Sequence, residues 1–364
     1  MHALADFSVF LQGSLFPALE QEAGPLSMLD RQFLEVVAVA RFERFAGEFA
    51  WCGNGRRPAE RLWLMHAFAA KAVYQFPTTA ALLHALVSQP TLRRLCGFAH
   101  AGVVPCEATF SRAFEQFARS ALAQRVHEQI VHTHAGPKLV GHLSRDATAI
   151  EAPERPAPRP APEVKPLPRK RGRPAKGEVR TPPPPKRVDV QLTRPLEVNL
   201  ADLPSHCSVG NKRNSAGHQQ SWIGYKLHLD VADGDVPVSA ILSSASLHDS
   251  QAAIPLAQMS AARVSSLYDL MDSAYDSPQI AAFSRSLGHE PIIEHNPRCG
   301  QKREFTPAQA RRFGERSSAE RVNSLLKCRY GGRWVRVRGA AKVMCHLMFG
   351  VVALSVASLM ARLI

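Results

Sequence analysis

Phe313-Gly314-Glu315-Arg316-Ser317-Ser318-Ala319-Glu320-Arg321-Val322-Asn323-Ser324-Leu325-Leu326-Lys327 carries an aromatic ring, a cation, a carboxylate and a second cation at intervals of three, four and seven residues. At 100° per residue, Phe313, Arg316, Glu320 and Lys327 fall within about 60° of one another on a helix. One helical edge then presents a carboxylate flanked by two cations, with an aromatic at its base. Two acids stand isolated in apolar stretches upstream. Asp146 lies in Leu143-Ser144-Arg145-Asp146-Ala147-Thr148-Ala149, and Asp272 follows Val264 to Met271.

The stretches around these acids set the fold class. Lys226 to Val231 alternates as a half-buried strand does, and Val236 to Leu242 reads as its neighbour, with Gly234-Asp235 in the turn. Ser250 to Arg263 is helix-like and Val264 to Met271 is a strand ending at Asp272. Ser277 to Leu287 reads as a helix, Pro291 to Glu294 as a short strand, and Pro307 to Arg329 as one long helix. With Gly141 to Ala149 as the first strand, the order is strand, loop, strand, strand, helix, strand, helix, strand, helix. That order fits an α/β domain of RNase H-like type. It makes the strand of Asp146 and the strand ending at Asp272 neighbours.

Upstream, the periodicity is helical. Leu62, Met65, Phe68 and Ala69 share a face, Ser88-Gln89-Pro90 breaks a helix, and Pro105 to Arg112 opens another with Phe110, Phe114 and Phe117 on one side. Residues 1–135 are therefore expected to form an all-α domain and 136–364 an α/β domain. Spacing alone permits either a helix-turn-helix presenting Ser111 and Arg112 or a plain helical bundle.

Between them, residues 151–200 hold 13 of the 27 prolines. A segment so rich in proline cannot build a packed core, so 151–218 is expected to be a Pro/Arg-rich disordered insertion inside the α/β domain. It contains Arg169-Lys170-Arg171-Gly172-Arg173-Pro174-Ala175-Lys176. The Arg-Gly-Arg-Pro core resembles an AT-hook, in which Arg171 and Arg173 would enter a narrow minor groove. A generic basic linker has the same composition.

Charge is concentrated rather than spread. The net formal charge is +14; residues 151–200 carry 12 Lys/Arg against 6 Asp/Glu, and residues 302–342 carry 12 against 3. Two basic stretches around candidate metal ligands point to a polyphosphate partner. The seven cysteines show no C-x-x-C spacing, which gives neither a zinc knuckle nor a disulfide framework and fits a reducing cytoplasm. No basic segment followed by an apolar one marks the N-terminus as a signal peptide. Val343 to Ala361 is long and apolar enough to span a bilayer. Its His346, its Gly350 and its isolation in the chain favour a buried core helix and no membrane association.

Two aspartates at strand ends and a glutamate on a helix suit two hard cations, since Mg²⁺ takes carboxylate and phosphate oxygens and keeps several waters. Such a pair supports in-line displacement at phosphorus. Asp249, at a helix start, and Asp276, before Ser277-Pro278, are expected to be capping residues. Asp269 is expected on the opposite strand face from Asp272.

Phe313-x2-Arg316-x3-Glu320-x6-Lys327 resembles the Tyr-x2-Arg-x3-Glu-x6-Lys signature of DDE transposases from bacterial insertion sequences. Ser144 to Thr148, Leu247-His248-Asp249-Ser250, Asp272 to Asp276 and His295-Asn296-Pro297-Arg298 are similar to further segments of that family. The helical N-terminus, with Pro90 to Phe98 and Pro105 to Arg112, resembles the domain these enzymes often carry. The resemblance implies a transposase that cleaves DNA at insertion-sequence ends and joins the 3′-OH to target DNA by two-metal-ion phosphoryl transfer. Asp146, Asp272 and Glu320 would be the catalytic metal ligands, for Mg²⁺ with Mn²⁺ substituting. Phe313, Arg316 and Lys327 would contact DNA, and two DNA ends imply a homodimer on DNA. Phe313 keeps an aromatic face but lacks the hydroxyl of the family's tyrosine. Only 48 residues (320 − 272) separate the second and third acids, too few for the large β-insertion of some relatives. A nuclease of the same fold that only hydrolyses DNA, and a non-catalytic DNA-binding protein derived from a transposase, are the alternatives.

Overall fold

The computed structural model describes residues 2–53, 55, 57–136, 139–158, 185–213, 217–297 and 301–363. The Arg-Gly-Arg-Pro segment with Arg171 and Arg173, and Arg298, lie outside the described residues.

Residues up to His134 are helical, as the periodicity requires. Ser27 and Asp30 form a capping box that starts the helix Met28–Ala40, and Thr78 caps Thr79–Ser88 by accepting from the Ala81 N–H. Pro90 then begins a new helix at its first position, where a missing N–H costs nothing. Phe68, from the helix Arg61–Val73, is ringed by Phe110, Phe114 and Phe117 of the helix Glu107–Arg119, with centroids 5.7, 4.8 and 6.2 Å away. Those three aromatics do share the inward face.

Six strands form one sheet. They are β1 (Leu139–Glu151), β2 (Ser208–Arg213), β3 (Gln219–Ala232), β4 (Val236–Ser244), β5 (Ser265–Met271) and β6 (Glu290–Ile293). β1 is central, antiparallel to β3 and parallel to β5; β6 continues the parallel side and β4 pairs with the far edge of β3. The order β4-β3-β1-β5-β6 is the RNase H-like arrangement that the alternation of elements implies. Successive left-handed residues, Gly234 (φ 72°) and Asp235 (φ 60°), turn β3 into β4.

Two features differ from the sequence reading. The stretch after 184, assigned by its composition to the insertion, is ordered: short helices Arg187–Gln191 and Leu196–Asp202 precede β2, which pairs with the projecting first half of β3. Long-range hydrogen bonds, not local apolar density, hold these helices. Buried Asn199 donates to the Gln191 carbonyl and to Gln258, and Arg187 donates to Asp202. The long helix from Pro307 is also interrupted. An α-helix ends at Phe313, Gly314–Arg316 form a tighter 3₁₀ turn, and Ser317–Arg329 resumes as α-helix.

The C-terminal helix Ala340–Ala361 joins the two halves. It has the length and apolarity of a membrane span, yet most of it is buried. Phe349 packs within 6.0 Å of Phe68 and 6.2 Å of Phe42. One apolar core runs from the N-terminal helices through this helix to β3 and to the helix Ser317–Arg329. Gly350 is the closest point: a Cβ there would lie 2.4 Å from the Tyr330 carbonyl and 2.9 Å from Leu326. A helix-interior glycine costs about 1 kcal/mol relative to alanine, and here it lets the helix that carries Glu320 seat against the core.

Candidate active site

Strand alternation puts Arg145 and Asp146 on opposite faces of β1. Arg145 points into the interior, where its guanidinium donates from Nε and Nη2 to the two oxygens of Asp230, each at 2.8 Å. Ser260 donates to the same carboxylate at 2.6 Å. Asp146 points the other way, toward the helix Ser317–Arg329, and accepts from Asn323 Nδ2 at 2.9 Å.

The parallel register pairs Arg145 with Met271, so Asp146 and Asp272 are the next residues on adjacent strands. Asp272 accepts from the Ala274 N–H at 2.9 Å, which turns the chain as it leaves β5. Burial pushes the Asp146 carboxyl up to about 6, and the Asp272 charge adds to the effect, while Arg316 and Lys212 oppose it. Asp272 is raised too, first by burial and then by Asp249 and Glu294. Two partly buried carboxyls therefore face each other with incomplete internal compensation.

The helical signature is arranged around this pair. Arg316, with its side chain 20% exposed, lies within electrostatic reach of both aspartates. It donates to Glu320 and sits over the Phe313 ring, 5.6 Å from the centroid. Phe313 is half-buried against Phe305, 4.7 Å between centroids. Glu320 is 57% exposed and turned to Arg316. It stands one turn before Asn323, the residue that touches Asp146. Lys327 is half-buried near Asp146, Glu151, Lys212 and Arg333, and burial followed by the Lys212 charge depresses its pKa. Among the described residues no three His, Cys, Asp or Glu side chains already converge on one cation position. The structure brings Asp146, Asp272, Arg316 and Lys327 together and holds Glu320 beside them through Arg316.

The other acids resolve differently from their sequence reading. Asp249 occupies a helix-start position but makes no cap; its carboxylate pairs with Lys226 at 2.8 Å, within reach of Asp272. Asp276 also does not cap: it accepts from the Asn296 N–H at 2.8 Å and ties two loops together. Asp269 is on the buried face, as alternation requires. Burial opposes its ionisation, but His289, 3.1 Å away, and Arg145 hold its carboxyl below the usual range. Asn323, Lys212 and Glu294 escaped sequence reasoning, and Asp249 was read there from its residues only as a cap. The signal for Asn323 is its place one turn after Glu320; nothing local marks Lys212 or Glu294.

Residues 143–356 match the transposase DDE domain family, and residues 23–116 match a second family, the transposase domain DUF772. The chain belongs to the transposase DDE domain family. The match spans both strands of the aspartate pair, the helix of Glu320 and most of the C-terminal helix. No curated protein and no solved structure matches the chain. The protein is thus a transposase, an enzyme of DNA cleavage and strand transfer that acts on DNA and uses a divalent metal ion. The donor set fits that ion: carboxylate oxygens, partly buried, whose negative charge Arg316 and Lys212 offset only in part.

Proposed function

We propose that this transposase cuts DNA at the ends of its own mobile element and joins the freed 3′-OH to target DNA, with Asp146, Asp272 and Glu320 as the metal ligands. The observation that carries the reading is the aspartate pair on adjacent parallel strands, Asp146 within β1 and Asp272 just past the end of β5, both raised by burial. Mg²⁺, with Mn²⁺ as substitute, is the cation this oxygen-only set favours. Bound there, the ions activate the attacking oxygen and stabilise the leaving one.

The chain's own residues bind and orient the DNA. Arg316 acts electrostatically on both aspartates and is poised to neutralise the phosphate being attacked. Its present partner is Glu320. A DNA phosphate that takes over Arg316 would release Glu320 toward Asp146, coupling substrate binding to completion of the ligand set. Lys327 and Lys212 would hold flanking phosphates, and Phe313 would offer its ring and keep Arg316 in place. Arg171 and Arg173 would add minor-groove contacts. Residues 1–135 would bind DNA, 136–364 would perform catalysis, and a homodimer would synapse two ends in the cytoplasm.

The test is strand transfer by purified protein on a labelled end taken from DNA flanking its own gene, with Mg²⁺ or Mn²⁺. Wild type is run beside Asp146→Asn and Glu320→Gln. Joined product that vanishes in both variants supports the assignment. Hydrolysis without joining would indicate a nuclease, and binding without cleavage a DNA-binding derivative.

A further inference from the structure

Away from the aspartates, a cavity of about 520 Å³ opens between the N-terminal helices and the segment that follows the signature helix. Lys71, Arg336, Arg338 and Lys342 line it with the hydroxyl of Ser111; Glu107 supplies a carboxylate at the wall. Three of the cations have partners. Arg336 lies over Trp334, Arg338 donates to the Pro153 carbonyl, and Lys342 is 3.7 Å from Glu115.

Lys71 is different. It is only 8% exposed, and its ammonium donates to no described residue. A lysine in the last turn of a helix complements the helix dipole, but that role does not call for burial. An unpaired buried cation is costly, and burial has brought its pKa down to about 8. An anion entering the cavity would remove that cost.

The cavity also continues toward the active site. A second groove shares Pro153 and Arg336 with it and is lined by Arg333, whose charge Lys327 senses. A path of cations therefore runs from Lys327 through Arg333 and Arg336 to Lys71. The cavity begins at Pro153, two residues past the end of β1. The five residues of β1 beyond Asp146 rise about 17 Å at about 3.3 Å each, the length of about five base pairs of duplex.

We propose that the Lys71 cavity binds a backbone phosphodiester of the substrate DNA at least about five base pairs from the bond to be cut. It would clamp the DNA between the N-terminal helices and the 333–342 segment. This rests on the transposase reading, and its test is separable from it.

The experiment titrates a 30-base-pair duplex of the flanking DNA with full-length wild type, Lys71→Met and Ser111→Glu over a KCl series. Lys71→Met replaces an unpaired ammonium by an apolar chain of similar shape. Ser111→Glu places a carboxylate into the cavity from an exposed helix position and stays informative if the first variant fails to fold. Both are expected to bind about 10-fold more weakly, with the salt slope reduced by about 0.9 for one lost phosphate contact. Neutral methylphosphonates stepped outward from about five base pairs from the cut should at one position weaken wild type by the same factor and Lys71→Met not at all. Folded variants with wild-type affinity and slope would overturn the proposal, as would weaker binding with an unchanged slope. Strand transfer by wild type that Asp146→Asn abolishes would still stand in either case.

Discussion

Arg145 and Asp146 are neighbours on one strand, and the protein treats their charges in opposite ways. The Arg145–Asp230 pair is fully buried, bidentate and supplemented by Ser260. Asp146 meets another carboxylate, with only part of its charge offset by Arg316 and Lys212. The first arrangement closes a charge inside the protein; the second leaves one open to a cation and a phosphate. A buried pair is expensive to desolvate and contributes little net stability against an apolar substitute, but breaking one half leaves an uncompensated ion. The pair at 145 and 230 therefore specifies how β1 and β3 sit. The pair at 146 and 272 spends stability on function.

The most forceful way to break this comparison is Asp146→Asn. Cleavage should fall by at least about 10³-fold, roughly 4 kcal/mol in the barrier, in a gel assay of end cleavage, while the protein remains folded. Its stability should move the other way. The folded carboxyl keeps its proton up to about pH 6, whereas the unfolded one releases it near 3.8, so the wild type loses stability between those values as pH rises. The variant has no such loss. Thermal melts at pH 8 should therefore place Asp146→Asn a few degrees above wild type, with the gap closing below pH 4. A variant less stable at both pH values would remove the case for an uncompensated pair.

On the other face, Arg145→Met leaves Asp230 buried without its partner and should cost about 3–5 kcal/mol in denaturant titration. The double change Arg145→Met with Asp230→Leu should recover most of it. A single variant as stable as wild type would show that the interior pair is not what holds the two strands.

Proton and cation compete for the same oxygens at the open pair. Apparent Mg²⁺ affinity, measured by titration in the cleavage assay, is expected to rise as pH climbs through about 6, the value to which burial lifts Asp146. A flat profile between pH 5 and 7 would assign the metal to other groups. The smallest effect belongs to Asn323→Ala. It removes one hydrogen bond, about 1 kcal/mol, from the carboxylate that faces the helix, and should raise the Mg²⁺ requirement several-fold while leaving the melting temperature within a few degrees.

Local pattern carried far. The apolar run to Met271 and helical spacing through Phe110, Phe114 and Phe117 correspond to the elements observed. Lys226 to Val231 is a strand as its alternation predicts, but not a half-buried one: His228 and Asp230 on its polar face are buried too, paired with Ser243 and Arg145. β2 escaped because a strand that pairs with the projecting end of β3 has few apolar positions of its own, Val209 among them being exposed. The helices at 187–191 and 196–202 escaped because hydrogen bonds and apolar packing to the distant helix Ser250–Ala261 hold them. Capping was the local explanation for Asp249 and Asp276, yet both found partners distant in sequence, Lys226 and the Asn296 N–H.

Spacing by itself determined that Asp146 and Asp272 belong to strands and that Glu320 and Lys327 share a helix, since helix and strand periods are properties of the backbone; it did not determine that Asp146 lies mid-strand or that a 3₁₀ turn at 314–316 interrupts the helix. Only the tertiary structure decided which charges are answered. The parallel register of β1 with β5 sets Asp146 against Asp272, and Arg316 currently engages Glu320. The C-terminal helix, apolar enough for a bilayer, instead became the shared core of both halves. Charge compensation and burial depend on neighbours brought from far along the chain, and no local period encodes them.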